Sequence, residues 1–591
     1  MRRRWTLGLV GVLTLGTTFA RGAEPIYPPP KVPLAFNRLY DYPQLVDAMR
    51  ALVKGHPNLL SMRSLGKSTE GRDLWCLTLN NPDTGPDRSK PAMYVDGNIH
   101  GNEIQGAEAT LYLVWYLLEN RERVPALKAL TDERAFYVVP TINPDGRAFW
   151  FNAPNTTNSS RSGKSPRDDD RDGLFDEDGY DDVDGDGQVT DMRRKNPVGS
   201  WRVSPDDPRI LVPVQPGDKV RPEDRYDNLG TEGIDNDGDG LVNEDAPGGY
   251  DMNRNWPADW QPDYQQFGAG DYPLCWPETR SVALFLLDHP NVAGVQAFHN
   301  AAGMILRGPG HPSRQAEYPP GDDRVAALIG RNGERMIPFY RSLVIHKDLY
   351  SVHGGFIGWT YEHLGIFSFT NELWNGRQLL GTPEPNPGAA RVFGGGEADD
   401  LFASDRLLFG AAFRPWKAFK HPLYGDVEIG GFVKESQRIP PTFLIEELCH
   451  RNAAFVIYHA EQMPRLAWAE VTAKPVEGAA GTYAVTASVR NTRLIPSVSE
   501  QAARRKAGLP DTASLSGTGL TVVAGGPLVN VDTGEVRPAE RTPEVIRLES
   551  GVPGEQTVRV RWFVLGKPGA EVAVRYASQK GGTLERKLTL P

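Results

Sequence analysis

His100 and Glu103 stand three residues apart in the segment Asp96-Gly97-Asn98-Ile99-His100-Gly101-Asn102-Glu103. An imidazole and a carboxylate at that spacing, on a turn from strand to helix, can face one point, and zinc accepts both donor types. The pair alone carries little weight, because His-x-x-Glu is common by chance. A catalytic zinc site needs a third protein ligand and an open fourth position. His299 is the candidate: it follows the apolar run 292–298, and open α/β sheets place their sites beyond the carboxyl ends of strands.

Other groups suit the same chemistry. Asp251-Met252-Asn253-Arg254-Asn255-Trp256 clusters an acid, an amide and a guanidinium. Asn143-Pro144-Asp145-Gly146 ends a strand in a tight turn. Arg193-Arg194-Lys195 is a basic run directly after an acidic stretch. Glu372 follows a strand-like run at 365–370 and lies 22 positions after Tyr350.

These residues need a rigid frame, and the pattern supplies one. An apolar helical period runs through 42–53, and a stronger one starts at Glu103 and continues to about Asn120, with Ile104, Ala107, Leu111, Val114, Trp115 and Leu118 at helical spacing. Short apolar runs at 74–79, 92–95, 135–139, 292–298 and 365–369 predict buried strands. Strands alternating with helices predict an α/β fold, a mixed central sheet with helices on both faces. From about residue 467 the period changes to two: Tyr483, Val485, Ala487 and Val489, then Val558, Val560, Trp562 and Val564, then Val572, Val574 and Tyr576. That pattern predicts a C-terminal β-sandwich over 467–591, immunoglobulin- or fibronectin-like.

On these motifs the chain resembles the zinc carboxypeptidase family, with the carboxypeptidase A fold, over residues 36–466. The resemblance implies His100, Glu103 and His299 as ligands of one catalytic zinc, the ligand set of carboxypeptidase A. It implies Glu372 as catalytic base, Asn253 and Arg254 as the grip on a substrate carboxylate, and Tyr350 as a mobile cover. The family's oxyanion arginine best matches Arg194, with Arg193 adjacent. Leu306, Gly310, Ile345, Leu349, Val352, Ile357 and Thr370 fall where relatives line the side-chain pocket. None is charged, so an apolar or aromatic C-terminal residue is the expected preference. The expected substrates are peptide or protein C-termini. The chain departs from the pattern in a long insertion, in lacking the zymogen pro-segment, and in having Asn102 where some relatives carry arginine. A zinc amidase or deacylase acting on cell-wall peptides or acylated amino acids is a competing reading. So is a calcium-dependent binding protein with an inactive peptidase core.

The insertion, residues 151–249, is polar and rich in Gly, Pro and Asp. Residues 168–191 hold 12 acidic side chains against one base, Arg171, so most of the chain's net charge of −10 is local. That argues against a nucleic-acid surface and for a specific cation site. Asp168-Asp169-Asp170-Arg171-Asp172-Gly173-Leu174-Phe175-Asp176-Glu177-Asp178 recurs as Asp235-Asn236-Asp237-Gly238-Asp239-Gly240-Leu241-Val242-Asn243-Glu244-Asp245, with a partial copy from Asp182 to Gly187. Carboxylates at alternate positions followed by glycine suit a structural Ca²⁺. Asp168, Asp170, Asp172, Asp235, Asp237 and Asp239 are the expected ligands. The segments resemble thrombospondin type 3 or EF-hand loops, although the closing acid of an EF-hand is replaced by Arg193 and Ala246.

Three arginines, an apolar stretch from Trp5 to Leu15 and small residues through Ala23 read as a signal peptide over 1–23, followed by a Pro-rich leader over 24–35. No later stretch is long and apolar enough to span a bilayer. A secreted or periplasmic protein is expected. Cys76, Cys275 and Cys449 form no Cys-x-x-Cys pair, so the sequence does not support a cysteine zinc site or redox motif, and it allows one disulfide with one free thiol.

Overall fold

The structure is a computed structural model that describes residues 29–156, 166, 168, 171–245, 248–376, 397–539 and 541–591. The expected signal peptide, the first residues of the leader and Asp170 lie outside the described residues. Among the described residues, no helix is long and apolar enough to cross a membrane.

An eight-stranded mixed sheet forms the frame. From edge to edge it runs Leu60–Lys67, Asp73–Leu79, Ala135–Val139, Ala92–Gly97, Val292–Asn300, Phe367–Leu373, Met304–Arg307 and Arg341–Val344. The four central strands are mutually parallel. Three strands toward the margins of the sheet escape sequence reading, Leu60–Lys67 because it mixes polar with apolar residues and Met304–Arg307 and Arg341–Val344 because they are only four residues long. Alternation along the central strands sorts the side chains. Met93, Val95, Phe136, Val138, Phe298 and Phe369 enter one core with helices Tyr42–Gly55, Gln105–Asn120 and Thr442–Gln462. Tyr94, Tyr137, Val139, Val295 and Ala297 enter another core, with helices Pro277–Asp288 and Phe356–Glu362. Helices therefore cover both faces, because strands buried on both sides must be covered on both. Cys76 and Cys449 belong to the two different cores, and all three cysteines are free thiols.

The insertion holds more regular structure than its composition suggests. Asp191–Lys195, Trp201–Val203, Leu211–Pro213 and Arg225–Thr231 join Phe413–His421 and Gly425–Phe432 in a six-stranded antiparallel sheet. The strands are short and their partner hairpin lies some 200 residues on, so no local period announces them.

From Leu466 onward, antiparallel sheets of five and four strands pack their apolar faces into one core around Trp562, Val485, Val574 and Tyr576. This β unit is anchored to the α/β frame by polar contacts. Ser499 Oγ donates to Gly365 O (2.9 Å), and the amides of Glu500 and Gln501 donate to Asp322 (3.1 and 3.0 Å). Lys580 Nζ donates to Leu364 O (2.8 Å), and burial pulls its pKa down to about 7.

Candidate functional site

The carboxyl ends of the central strands carry the predicted residues. The Ala92–Gly97 strand ends three residues before His100, and Glu103 precedes the Gln105–Asn120 helix. The turn between them is built, not merely permitted. Asn98, with φ 55°, donates from Nδ2 to the carbonyls of His100 (2.8 Å) and Gly101 (3.2 Å). Its Oδ1 accepts from Thr141 Oγ1 (3.1 Å) and Arg147 Nη1 (3.3 Å). Asn143-Pro144-Asp145-Gly146 starts a helix over Pro144–Asn152, where Asn143 Oδ1 accepts from the Gly146 amide (2.7 Å). A Cβ on Gly146 would come within 2.9 Å of the Gly101 Cα, so this position must be glycine for the two turns to meet.

His100, Glu103 and His299 converge. His100 Nδ1 lies 3.0 Å and His299 Nδ1 lies 2.9 Å from Glu103 Oε2, and the two Nδ1 atoms are 3.2 Å apart. Donors about 2.0–2.2 Å from a tetrahedral zinc stand roughly 3.3–3.5 Å apart, so this triangle fits the ion after opening by a few tenths of an ångström. Burial opposes ionisation of Glu103, which is 2 % exposed, but the two imidazoles outweigh it and hold the carboxyl well below the usual carboxylate range. A buried carboxylate kept anionic by two imidazoles is a donor set for a divalent ion. Behind it, His100 Nε2 faces Asp251 Oδ1 at 2.9 Å, and Asn253 Nδ2 lies 3.4 Å from His299 Nε2.

Glu372 and His299 are paired residues of adjacent parallel strands. Paired positions project to the same face, so Glu372 stands on the His299 side, two residues beyond Thr370. Arg254 is mostly buried and donates to Asn253 O (2.9 Å), while Asn253 Oδ1 accepts the Phe356 amide (2.9 Å). Tyr350 is 48 % exposed on the loop that returns to this helix. Leu306, Ile345 and Leu349 form one apolar cluster, Val352 N donates to Gly310 O (2.9 Å), and Ile345 also packs against the core containing Ile357. Ile357 itself lines a small pocket together with Arg307, Asp322, Asp323 and Tyr361.

The basic run divides. Arg193 Nε binds Glu428 (2.7 Å) and its guanidinium stacks over Trp416. Arg194, 39 % exposed in its side chain, pairs with Asp227 at 2.9 Å. Among the described residues, neither is hydrogen-bonded or ion-paired to His100, Glu103, His299 or Glu372. Arg438 does reach the centre: its Nη2 lies 3.4 Å from Glu103 Oε1 and donates to Asn300 O. Nothing in the run Ser436-Gln437-Arg438-Ile439 marks it in sequence. Arg147 is a second unforeseen residue. Fully buried, it pairs with Glu108 (2.6 Å) and donates to Ile104 O (2.7 Å), bracing the helix start beside Glu103.

In the insertion, the two repeats interlock. Asn236 Nδ2 and the amide of Asn243 donate to Asp178 (3.0 and 3.2 Å). Glu177 faces Asp245, and Glu244, its counterpart in the repeat, faces Asp178; burial first and then the facing acid push both glutamates up to about 7. Donor oxygens gather in the groups Asp172–Glu177–Asp237, Asp178–Asp237–Glu244 and Asp182–Asp184–Glu232. Asp168, Asp172, Asp235, Asp237 and Asp239 all accept amides of their own turns.

A family model described as zinc carboxypeptidase matches residues 45–386, and one described as a domain of unknown function matches residues 465–589. Carboxypeptidase D of Homo sapiens is 35 % identical over 114 residues, which are 19 % of this chain and 8 % of that protein. The chain thus spans less than a tenth of the length of that relative. Carboxypeptidase A1 of Sus scrofa is 23 % identical over 345 residues, covering 56 % of this chain and 61 % of that one. Among solved structures, the carboxypeptidase A of Helicoverpa armigera matches with a TM-score of 0.37 at 19 % identity, over 58 % of this chain and 67 % of that one.

Proposed function

Because the chain belongs to the zinc carboxypeptidase family, we propose that it is an exported metallocarboxypeptidase that releases the C-terminal residue of peptides, preferring apolar or aromatic ones. The observation that carries this reading is the meeting of His100, Glu103 and His299 with Glu372 in register beside them. Zinc, when bound there, supplies a Lewis acid that polarises the scissile carbonyl and acidifies water. Glu372 takes a proton from the attacking water and delivers one to the leaving nitrogen. Arg254 grips the terminal carboxylate with two parallel hydrogen bonds, Asn253 adds another, and Tyr350 closes over the bound end. Arg194 is assigned to the oxyanion; for that it must exchange Asp227 for substrate. The apolar preference is supported by the cluster of Leu306, Ile345 and Leu349.

Blocked dipeptides test this. Cleavage of substrates with a free C-terminal Phe or Leu, faster than of Lys or Arg, and none of the amidated forms, is expected. Equal cleavage of amidated substrates refutes the exopeptidase reading, and faster release of Lys or Arg refutes the apolar pocket.

The insertion is assigned a structural role through Ca²⁺. The pairing of acid against acid between the repeats supports it, since a hard cation relieves that repulsion. The reading keeps Asp172 and Asp237 of the expected aspartates and adds Glu177, Asp178 and Glu244 as ligands. Calcium chelation with zinc kept saturating is expected to expose 168–245 to proteolysis and to lower activity through Arg194; no change in either refutes it.

A further inference from the structure

Away from the catalytic centre, Asp259, His311 and His353 bring one donor atom each within 4.8 Å of one another. They come from three loops. Asp259 follows the Asn253–Arg254 segment, His311 follows the strand Met304–Arg307, and His353 sits on the Tyr350 loop. The chain positions them by a specific crossing: Val352 N donates to Gly310 O at 2.9 Å, which sets the next residue of each loop, His353 and His311, side by side. Their rings lie 4.5 Å apart at 31°. His353 Nδ1 stands 2.8 Å from Asp259 Oδ2, and Asp259 is held in the left-handed region at φ 53°. Ser313 Oγ, 2.8 Å from His311 Nδ1, fixes the second ring. All three side chains are half-buried, open enough for an ion to enter. Arg314 feels the charge of Asp259, but Glu362 at 2.6 Å neutralises it.

We propose that Asp259, His311 and His353 form a second divalent-metal site, distinct from the His100–Glu103–His299 centre, that takes zinc. Two imidazoles and a carboxylate with room for a further ligand form a set that borderline divalent ions favour over calcium or magnesium. The ion would tie three loops together at the rim of the substrate side. Gly354, next to His353, packs against the Arg254 backbone, and Tyr350 is three residues away. The site therefore restrains the loop that bears Tyr350 without touching the reacting atoms.

Metal content of the full chain tests the assignment. Protein stripped of transition metals and re-equilibrated with zinc in the presence of calcium is analysed by mass spectrometry. Wild type is expected to hold two zinc ions per chain, H311Q and H353Q one each, and H100Q one, retained at the second site. Cobalt substitution of H100Q should give the visible absorption of a single Co²⁺ with nitrogen ligands, abolished by adding H353Q. In H353Q, kcat should hold within about twofold while KM rises severalfold, because a freed loop weakens substrate closure. One zinc in wild type, two retained in both histidine variants, or none in a folded H100Q overturns the proposal. Retention of the catalytic zinc in H311Q and H353Q reports that they fold, so the outcome is read independently of peptidase activity.

Discussion

Glu372 lies beside His299 as its direct partner across two parallel strands, so the position of the base relative to the metal ligand is fixed by sheet register and not by a flexible loop. Glu372→Gln keeps the size and removes the base. It is expected to leave zinc content unchanged and to lower kcat by about 10²–10⁴-fold, the range for a single acid–base group. Metal analysis together with steady-state kinetics checks it, and a variant that also loses zinc would show that Glu372 holds the ion instead.

Asp251 Oδ1 accepts from His100 Nε2 at 2.9 Å and from the Asn253 amide at 2.8 Å. It thereby fixes the tautomer that presents Nδ1 toward Glu103 and His299. Asp251→Ala is expected to weaken zinc binding at that centre by about 10–100-fold, as loss of an outer carboxylate partner does. Competition against a chelator of known affinity measures it.

The candidate metal centre was legible through the family resemblance, which His100, Glu103, His299 and Glu372 carry together; singly they say little, although His100, His299 and Glu372 each come soon after an apolar run that reads as a buried strand. What braces them was not. Asn98, Arg147 and Arg438 act through contacts with residues up to 335 positions away, and no local spacing encodes such a contact. The same holds for the insertion. Its acidic repeats are visible as composition, but which acids face each other depends on the docking of one repeat on the other. The β unit was the easiest part to read, since period-two alternation is a local property that its sheets preserve.

Arg147 and Glu108 are both fully buried and joined at 2.6 Å. Burial pushes the Glu108 carboxyl upward, and Arg147 pulls it back. Arg147→Met leaves that carboxyl without its cation and frees the Ile104 carbonyl. A loss of about 3–5 kcal/mol is expected in denaturant unfolding, the cost of breaking a buried pair by removing one partner. The paired variant Glu108→Leu with Arg147→Met should recover most of it.

Gly354 has φ +62°, and a Cβ there would lie 2.1 Å from the Arg254 carbonyl oxygen. Gly354→Ala must push the Tyr350 loop off the Asn253–Arg254 segment. The left-handed backbone adds roughly 1–2 kcal/mol of its own. Zinc binding should be unaffected while KM for a blocked dipeptide rises about tenfold, since 1.4 kcal/mol of lost substrate contact is a factor of ten.

His459 is fully buried beneath the central strands, where Gln296 Nε2 donates to its Nδ1 at 3.3 Å. Burial lowers its pKa from 6.5 to about 3. Above pH 6.5 the ring is neutral folded or unfolded, and it contributes no pH dependence. Between pH 6.5 and 3 the unfolded chain binds a proton that the folded chain refuses, so stability falls as pH falls. By pH 4.5 this one group should cost about 2–3 kcal/mol, at 1.36 kcal/mol for each pH unit below 6.5. His459→Gln keeps an acceptor for Gln296 and removes the titration. The variant is expected to be less stable than wild type at pH 7, because Gln fits the ring's space poorly, and to lose less stability on acidification. Carboxylates and zinc release are common to both proteins and cancel in the comparison. Urea unfolding of each at pH 7 and 4.5 gives the four values needed, and a stability gap that stays constant between the two pH values means that His459 is not the acid-sensitive group.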